Sequence, residues 1–250
     1  LMTNLIELEM VNTRIRKLPG RLNELKALNK ITLLNNRPRG RIRLGKNSHV
    51  KSLVIGDDEH DFRPRSYRKF AALEALDLTR NNLTRFPALR GTRSLRRLTL
   101  AENQLTLQDL RKARPELEQL VLTSNKIERV PRVMGGFRNL KKLNMNSNQI
   151  TSLTPEIGRL GKLEELSLYK NKLSVIPGKI YDLGSLRVID LYYNQLDQLD
   201  TAIRKWSKLE ILYAANNRLF TLPDNLGALK NLRELYLQHN RLSSLPESVA

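Results

Sequence analysis

The chain has 250 residues and a formal net charge of +19, from 44 lysines and arginines against 25 aspartates and glutamates. It contains no cysteine, which excludes a disulfide framework, a cysteine zinc cluster and a thiol nucleophile. No run reaches the roughly 18 apolar residues of a transmembrane helix, and the first residues lack the basic and apolar regions of a signal peptide.

One apolar pattern recurs along the chain at intervals of 22 or 23 residues. It is clearest in residues 163–177, LEELSLYKNKLSVIP, which follow the form LxxLxLxxNxLxxLP. The first apolar residue of each copy serves as an anchor, and the eleven anchors are Leu5, Leu28, Val50, Leu73, Leu95, Leu117, Leu140, Leu163, Leu186, Leu209 and Leu232. A fixed period of this length is the signature of a solenoid whose repeats stack on their neighbours. We therefore expect a single domain over residues 1–250.

The first half of each repeat predicts a short strand. Residues three and five positions after the anchor are apolar, as in Leu143 and Met145, and this alternation is typical of a strand with one buried face. An asparagine, such as Asn171, usually follows eight positions after the anchor. Because an amide both donates and accepts hydrogen bonds, stacked asparagines can satisfy the backbone groups left inside the turn.

The second half of each repeat carries Leu-Pro or a relative, as in Ile176-Pro177, which suits a turn or the start of a short helix. An apolar residue three positions before the next anchor fills a further core position, and the single tryptophan, Trp206, stands there. Two departures stand out. Residues 37–72 follow the pattern irregularly, and residues 105–115 lack Leu-Pro and favour a more helical segment.

These motifs resemble the leucine-rich repeat superfamily, in its 23-residue class LPxxIGxLxxLxxLxLxxNxLxxLP. The likeness is closest in residues 153–177 and 222–246. It implies an α/β solenoid of about eleven repeats, curved like a horseshoe, with a parallel sheet on the concave face and turns and short helices on the convex face. It also implies a role in protein binding without identifying the partner.

The residues four and six positions after each anchor are expected on the concave, solvent-facing side of the sheet. Most are small or polar, but the last four repeats place tyrosines there, and five of the seven tyrosines fall in this region. Tyrosine combines a large contact area with a polar tip and is enriched at binding hot spots. The predicted partner-binding residues are Tyr169, Tyr192, Tyr193, Tyr213, Tyr236, Asp190 and Gln238. The alternative is that cross-strand tyrosines only stabilise the sheet.

A dense basic run lies on a connecting segment of the second and third repeats and contains no acidic residue. It defines the predicted basic patch, Arg37, Arg39, Arg41, Arg43, Lys46 and Lys51. Such a run favours an acidic protein or an anionic membrane surface. Nucleic acid is disfavoured because no nucleic-acid-binding motif is present and the basic positions lack interleaved aromatic residues. A solvated basic face is the default interpretation.

No catalytic motif or paired set of metal ligands is present, and the three histidines lie in different repeats. The one dense polar cluster, residues 57–61, is interpreted as a local charge partner of the basic run rather than a metal site. The sequence therefore predicts no catalytic residues, metal, cofactor or small-molecule substrate, and a non-enzymatic protein.

The leading hypothesis is a scaffold-like module that binds a protein partner on the concave face of its C-terminal repeats. The alternatives are the recognition arm of a larger enzyme, such as a ubiquitin ligase, kinase or GTPase, and a structural subunit of an assembly. Because the terminal repeats lack polar caps, the chain is expected to be part of a longer protein. A cytoplasmic location is slightly favoured over a secreted or surface-exposed one.

Overall fold

A computed structural model of the chain describes residues 2–15, 17–36, 46–56 and 67–249. Eleven parallel strands appear in it, one for each anchor, and their order in the sheet is their order in the chain. They are β1 Glu7–Val11, β2 Lys30–Leu34, β3 Ser52–Gly56, β4 Ala75–Asp77, β5 Arg97–Thr99, β6 Gln119–Val121, β7 Lys142–Asn144, β8 Glu165–Ser167, β9 Val188–Asp190, β10 Ile211–Tyr213 and β11 Glu234–Tyr236. This confirms the predicted repeat register and fold class.

The second half of most repeats forms a single turn of 3-10 helix. Eight such helices occur in the described part of the chain: η1 Gly20–Glu24, η2 Tyr67–Lys69, η3 Arg132–Gly136, η4 Pro155–Arg159, η5 Gly178–Asp182, η6 Thr201–Lys205, η7 Leu226–Ala228 and η8 Glu247–Val249. Several begin directly after the proline of the Leu-Pro motif, as at Pro131 and Pro177. Proline fixes its own φ at a value that suits such a start, so the expectation of a short helix there is confirmed.

The chain divides into two compact units. The first contains residues 1–105 and 119–121, and the second contains residues 106–118 and 122–250. Each has a core of stacked apolar side chains from its own strands, such as Leu33 and Ile55 in the first and Leu166 and Ile189 in the second, all fully buried. The prediction of a single domain stays a prediction.

A ladder of asparagines closes the turn after most of the strands. In the second unit, the Asn171 side-chain amide donates to the carbonyls of Met145 and Leu168, both at 3.0 Å, and its Oδ1 accepts from the Ile150 amide at 3.0 Å. The equivalent asparagines from Asn36 to Asn217 are buried, and Asn240 in the last repeat is partly buried. The ladder therefore satisfies the backbone groups of the turn as the sequence predicts.

The residue before each ladder position adopts the left-handed backbone conformation. Ten described residues seven positions after an anchor share a φ between 50° and 57°: Asn12, Asn35, Arg80, Glu102, Ser124, Ser147, Lys170, Tyr193, Asn216 and His239. A single left-handed residue turns the chain out of the strand, and asparagine tolerates it better than most side chains. The sequence alone does not reveal these left-handed positions, because only three of the ten residues are asparagine.

The expected helical character of residues 105–115 is wrong. These residues form turns and irregular backbone without a helix. Leu107, which is buried, has a φ of 63°. A left-handed residue cannot continue a right-handed helix, so the segment turns at this point.

The irregular segment predicted at residues 37–72 lies partly outside the described residues. Where it is described, the strand is regular: in β3, Leu53 pairs with Ile31 of β2 and with Leu76 of β4.

Candidate functional site

The candidate site lies on the strand face of β8 to β11, in the second compact unit. We define the strand face as the side carrying the residues two, four and six positions after each anchor. The intervening residues Leu166, Ile189 and Leu212 are fully buried, whereas their neighbours along each strand are partly exposed. Side chains alternate along a strand, so the partly exposed residues share one face.

Four of the five predicted tyrosines lie on this face, and Tyr193 adjoins it at the end of its strand. Together they form what we call the tyrosine patch, Tyr169, Tyr192, Tyr193, Tyr213 and Tyr236. Parallel register places Tyr213 directly beside Tyr236, and their rings stack with centroids 4.9 Å apart and an interplanar angle of 16°. Edge-to-face and offset geometries at such distances stabilise aromatic pairs.

The other three tyrosines form a second ring cluster. The Tyr169 ring lies 5.8 Å from that of Tyr192 and 5.8 Å from that of Tyr193, the latter edge-on at 89°. The Tyr192 and Tyr193 rings are 4.6 Å apart. Tyr193 joins the cluster from the left-handed position at the end of its strand, a conformation that is unusual for a bulky side chain.

Each ring cluster keeps part of its surface in water. Tyr193 is 47% exposed and Tyr236 is 38% exposed. Packing of tyrosine on tyrosine therefore leaves aromatic surface free for a partner. Gln238, the remaining predicted polar residue of this set, is exposed beyond Tyr236 on the same face.

Asp190 lies at the centre of the strand face, between the two ring clusters. It pairs in register with Ser167 on one side and Tyr213 on the other. Its Oδ1 accepts a hydrogen bond from the Tyr192 backbone amide at 3.0 Å, and partial burial raises the pKa of its carboxyl above the ordinary value. Asn144 accepts from the amide of Asn146 at 3.0 Å in the same way, so this bond is a recurring feature of the position.

Two further acidic residues on this face were missed by the sequence analysis. Glu234 accepts a hydrogen bond from the Tyr236 hydroxyl at 2.9 Å, and this bond raises the pKa of Tyr236. Glu165 forms an ion pair of 2.6 Å with Lys142. Both stand two positions after an anchor. The alternation used to find the tyrosines, extended by one step toward the start of each strand, would have included them.

The predicted basic patch falls mostly outside the described residues, where Arg37, Arg39, Arg41 and Arg43 lie. Its two described members, Lys46 and Lys51, are exposed, and Lys51 forms a 3.3 Å ion pair with Glu74. The acidic cluster at residues 57–61 also lies outside that part of the chain. Its interpretation as a charge partner of the basic run therefore stays a prediction.

The described residues contain no group of three or more histidine, aspartate or glutamate side chains that could hold a metal ion. In the same part of the chain, no helix has the length and apolar character needed to cross a membrane.

Comparisons with known proteins agree with this architecture. Two family models described as leucine rich repeat match the chain, one at residues 138–196 and the other at residues 231–250. No curated protein sequence matches. The chain is a leucine-rich repeat protein.

Solved structures of other leucine-rich repeat proteins superpose on nearly the whole chain. A leucine-rich repeat protein of Leptospira interrogans is 29% identical, with a TM-score of 0.85 over 99% of this chain, and this chain spans 64% of that protein's chain. A chain of an octameric complex of Latrophilin 3, Unc5D and the leucine-rich repeats of FLRT2 is 22% identical, with a TM-score of 0.76, covering 96% of this chain and 77% of its own.

A third similar structure is the leucine-rich repeat ectodomain of the Arabidopsis thaliana receptor kinase GASSHO1/SCHENGEN3, solved with CASPARIAN STRIP INTEGRITY FACTOR 2. It is 24% identical, with a TM-score of 0.67, and the match covers 99% of this chain and 34% of the ectodomain. At these identities the last two structures establish the fold alone. Proteins with this fold are commonly non-catalytic modules for protein interactions.

Proposed function

We propose that this chain is a non-catalytic binding module that holds a protein partner on the strand face of β8 to β11, through the tyrosine patch. The observation that carries the proposal is the contact of five tyrosine rings, in two clusters, on one solvent-facing surface. Tyrosine loses little conformational entropy on binding and offers both apolar area and a hydroxyl.

The rest of the strand face lacks comparable anchors. At the position of Tyr213, the preceding repeats carry small or short side chains such as Thr99, Val121 and Ser167. Sheet stability alone does not require aromatic residues here, because these repeats form the same parallel pairs without them. A binding role accounts for the concentration of tyrosines in adjacent repeats.

The similar structures support a protein or peptide as the class of partner. FLRT2 contributes leucine-rich repeats to a complex with two other proteins, and the plant ectodomain was solved with CASPARIAN STRIP INTEGRITY FACTOR 2.

A displayed library of random peptides provides a test that needs no known partner. Peptides selected on the wild-type protein are resynthesised and their dissociation constants measured for the double variant Tyr192→Ala/Tyr213→Ala. We expect binding to weaken at least tenfold, the range found for hot-spot residues. The matched control is Thr99→Ala/Val121→Ala, which truncates two residues of the same face outside the patch and should leave binding unchanged.

Folding of each variant is checked by the fluorescence of Trp206, which lies away from the strand face and is fully buried. Selected peptides that bind the tyrosine variant as tightly as the wild type, or a selection that yields no peptide requiring these tyrosines, would contradict the proposal.

A further inference from the structure

The charge of the strand face at the tyrosine patch is opposite to that of the whole chain. In β8 to β11 this face carries three acidic residues, Glu165, Asp190 and Glu234, and no lysine or arginine. The complete chain has a net charge of +19. A partner seated here therefore meets a locally negative surface, although the protein as a whole attracts anions.

Asp190 is the one of the three carboxylates that is both partly buried and, in the described part of the chain, without a cation. Glu165 is paired with Lys142, and Glu234 accepts a hydrogen bond from Tyr236. Asp190 is half-buried, and among the described residues no lysine or arginine lies within ion-pair distance of it. Lys170, which follows Tyr169 in the chain, stands in the turn beyond the strand and is exposed. A partly desolvated carboxylate without a cation is unfavourable until one is supplied.

One aromatic residue stands beside this carboxylate on the next strand, and another follows it along the chain. Tyr213 is its register partner on β10, and Tyr192 follows two residues later on the same face of its own chain segment. The faces of aromatic rings attract cations, especially where the cation is partly desolvated. A carboxylate next to tyrosine rings combines the two kinds of group that hold a guanidinium or ammonium.

We propose that the partner places a cationic side chain, an arginine or a lysine, against Asp190 between the two ring clusters. The inference rests on the proposed function, because it names the chemistry of the partner at that same site. It differs from the expectation of an acidic partner, which follows from the overall charge and from the basic run in the second and third repeats. The local charges of the described strand face favour a basic segment instead.

The test removes each of the two charges separately and then together. Peptides that depend on the tyrosine patch are resynthesised with each arginine replaced by citrulline, a neutral residue of nearly the same shape, or with each lysine acetylated. Their binding is measured to the wild type and to Asp190→Asn in about 0.15 M salt, where charges beyond about 8 Å are largely screened.

We expect one neutralised cation to weaken binding to the wild type about tenfold, and Asp190→Asn to weaken binding of the charged peptide by a similar factor. With both changes present, the loss should not exceed that of either one alone, because the two groups act as a pair. Asparagine preserves the hydrogen bond to the following amide, as Asn144 shows in its own repeat, so the variant should fold.

Asp77→Asn is the matched control. Asp77 stands four positions after its anchor, as Asp190 does, and accepts from the Thr79 amide at 2.9 Å, but has no tyrosine on its strand. It should not change peptide binding. Tyrosine-dependent peptides without arginine or lysine, or with equal affinity for Asp190→Asn and the wild type, would overturn this inference and leave the proposed function intact. Peptides independent of the tyrosines would overturn the proposed function itself.

Discussion

The ring of Trp206 stacks on that of Tyr181, with centroids 4.7 Å apart and an interplanar angle of 29°. Both side chains are almost completely buried, and the indole N–H donates to the carbonyl of Ile180 at 3.2 Å. The Tyr181 hydroxyl accepts from the Asp200 amide at 3.0 Å, and burial raises its pKa to about 12. The pair thus joins η5 to the two residues that flank η6, by ring contact and by two hydrogen bonds.

Replacing Trp206 by phenylalanine should lower the free energy of unfolding by about 2 kcal/mol. The change leaves a cavity and removes one of the two donors to the Ile180 carbonyl, which keeps the Leu183 amide. Tyr181→Phe is the milder comparison, with an expected loss of about 1 kcal/mol, because the ring stack remains and only the acceptor for Asp200 is removed. Urea denaturation followed by circular dichroism measures both. Equal stability of Trp206→Phe and the wild type would contradict the role of this contact.

Replacing an asparagine by alanine should cost far more stability inside the asparagine ladder than at an exposed position. Asn171→Ala should destabilise the protein by about 1–3 kcal/mol, because the Ile150 amide loses its acceptor inside the turn. The carbonyls of Met145 and Leu168 each lose one of two side-chain amide donors and keep the other, from Asn148 and Asn194. Asn231→Ala removes one exposed hydrogen bond to the Ser207 carbonyl and should cost about 0.5 kcal/mol or less. Comparable losses for the two variants, measured by urea denaturation, would show that the ladder is not a principal source of stability.

The fold was predictable because the same evidence occurs eleven times. An ambiguous side chain in one repeat, such as Trp206, is assigned by its position relative to the anchor, and the structure confirms its burial. Prediction from the repeat pattern fails where a repeat departs from it. In residues 105–115, the chain turns at the left-handed backbone of Leu107. Leucine rarely adopts this conformation, so its identity does not predict the turn.

The candidate site was predictable only as a set of positions. Alternation along the strands indicates which tyrosines share a face, and the structure brings them into contact. Whether a charge on that face is paired depends on how long side chains reach across strands, as Lys142 reaches Glu165 while Asp190 has no such neighbour among the described residues. Sequence spacing does not contain that information, so the structure is needed to tell which charges of the face are paired.

The close stacking of η4 on η5 requires glycine at position 158. A Cβ added at Gly158 of η4 would lie 2.0 Å from the backbone carbonyl oxygen of Lys179, whereas one at Gly161 meets nothing within 4 Å. Gly158→Ala should therefore destabilise the protein by about 1–3 kcal/mol by forcing the two helices apart. Gly161→Ala should be neutral or stabilise by up to about 1 kcal/mol, since it restricts the unfolded chain. Thermal denaturation measures the stability of both variants. Both lose a glycine but only Gly158→Ala creates a clash, so the difference between them reports the steric effect.

Asp190→Asn should stabilise the isolated protein in a pH-dependent manner. Partial burial raises the pKa of Asp190 above its ordinary value of 3.8, so the folded state binds a proton more readily than the unfolded state. The stability that this proton contributes is complete below the unfolded pKa and is lost as the pH rises through the folded pKa.

The two proteins should therefore differ little near pH 3. Near pH 7 the variant should be more stable by up to about 1 kcal/mol, a small effect because solvent still reaches the group. Urea denaturation at a series of pH values measures this difference directly, and the subtraction cancels the titration of all other groups. A difference that is constant with pH, or a variant less stable than the wild type at pH 7, would show that the carboxylate is not strained by its position between the tyrosines. The same substitution is expected to weaken binding of a basic peptide, so stability and recognition at Asp190 should change in opposite directions.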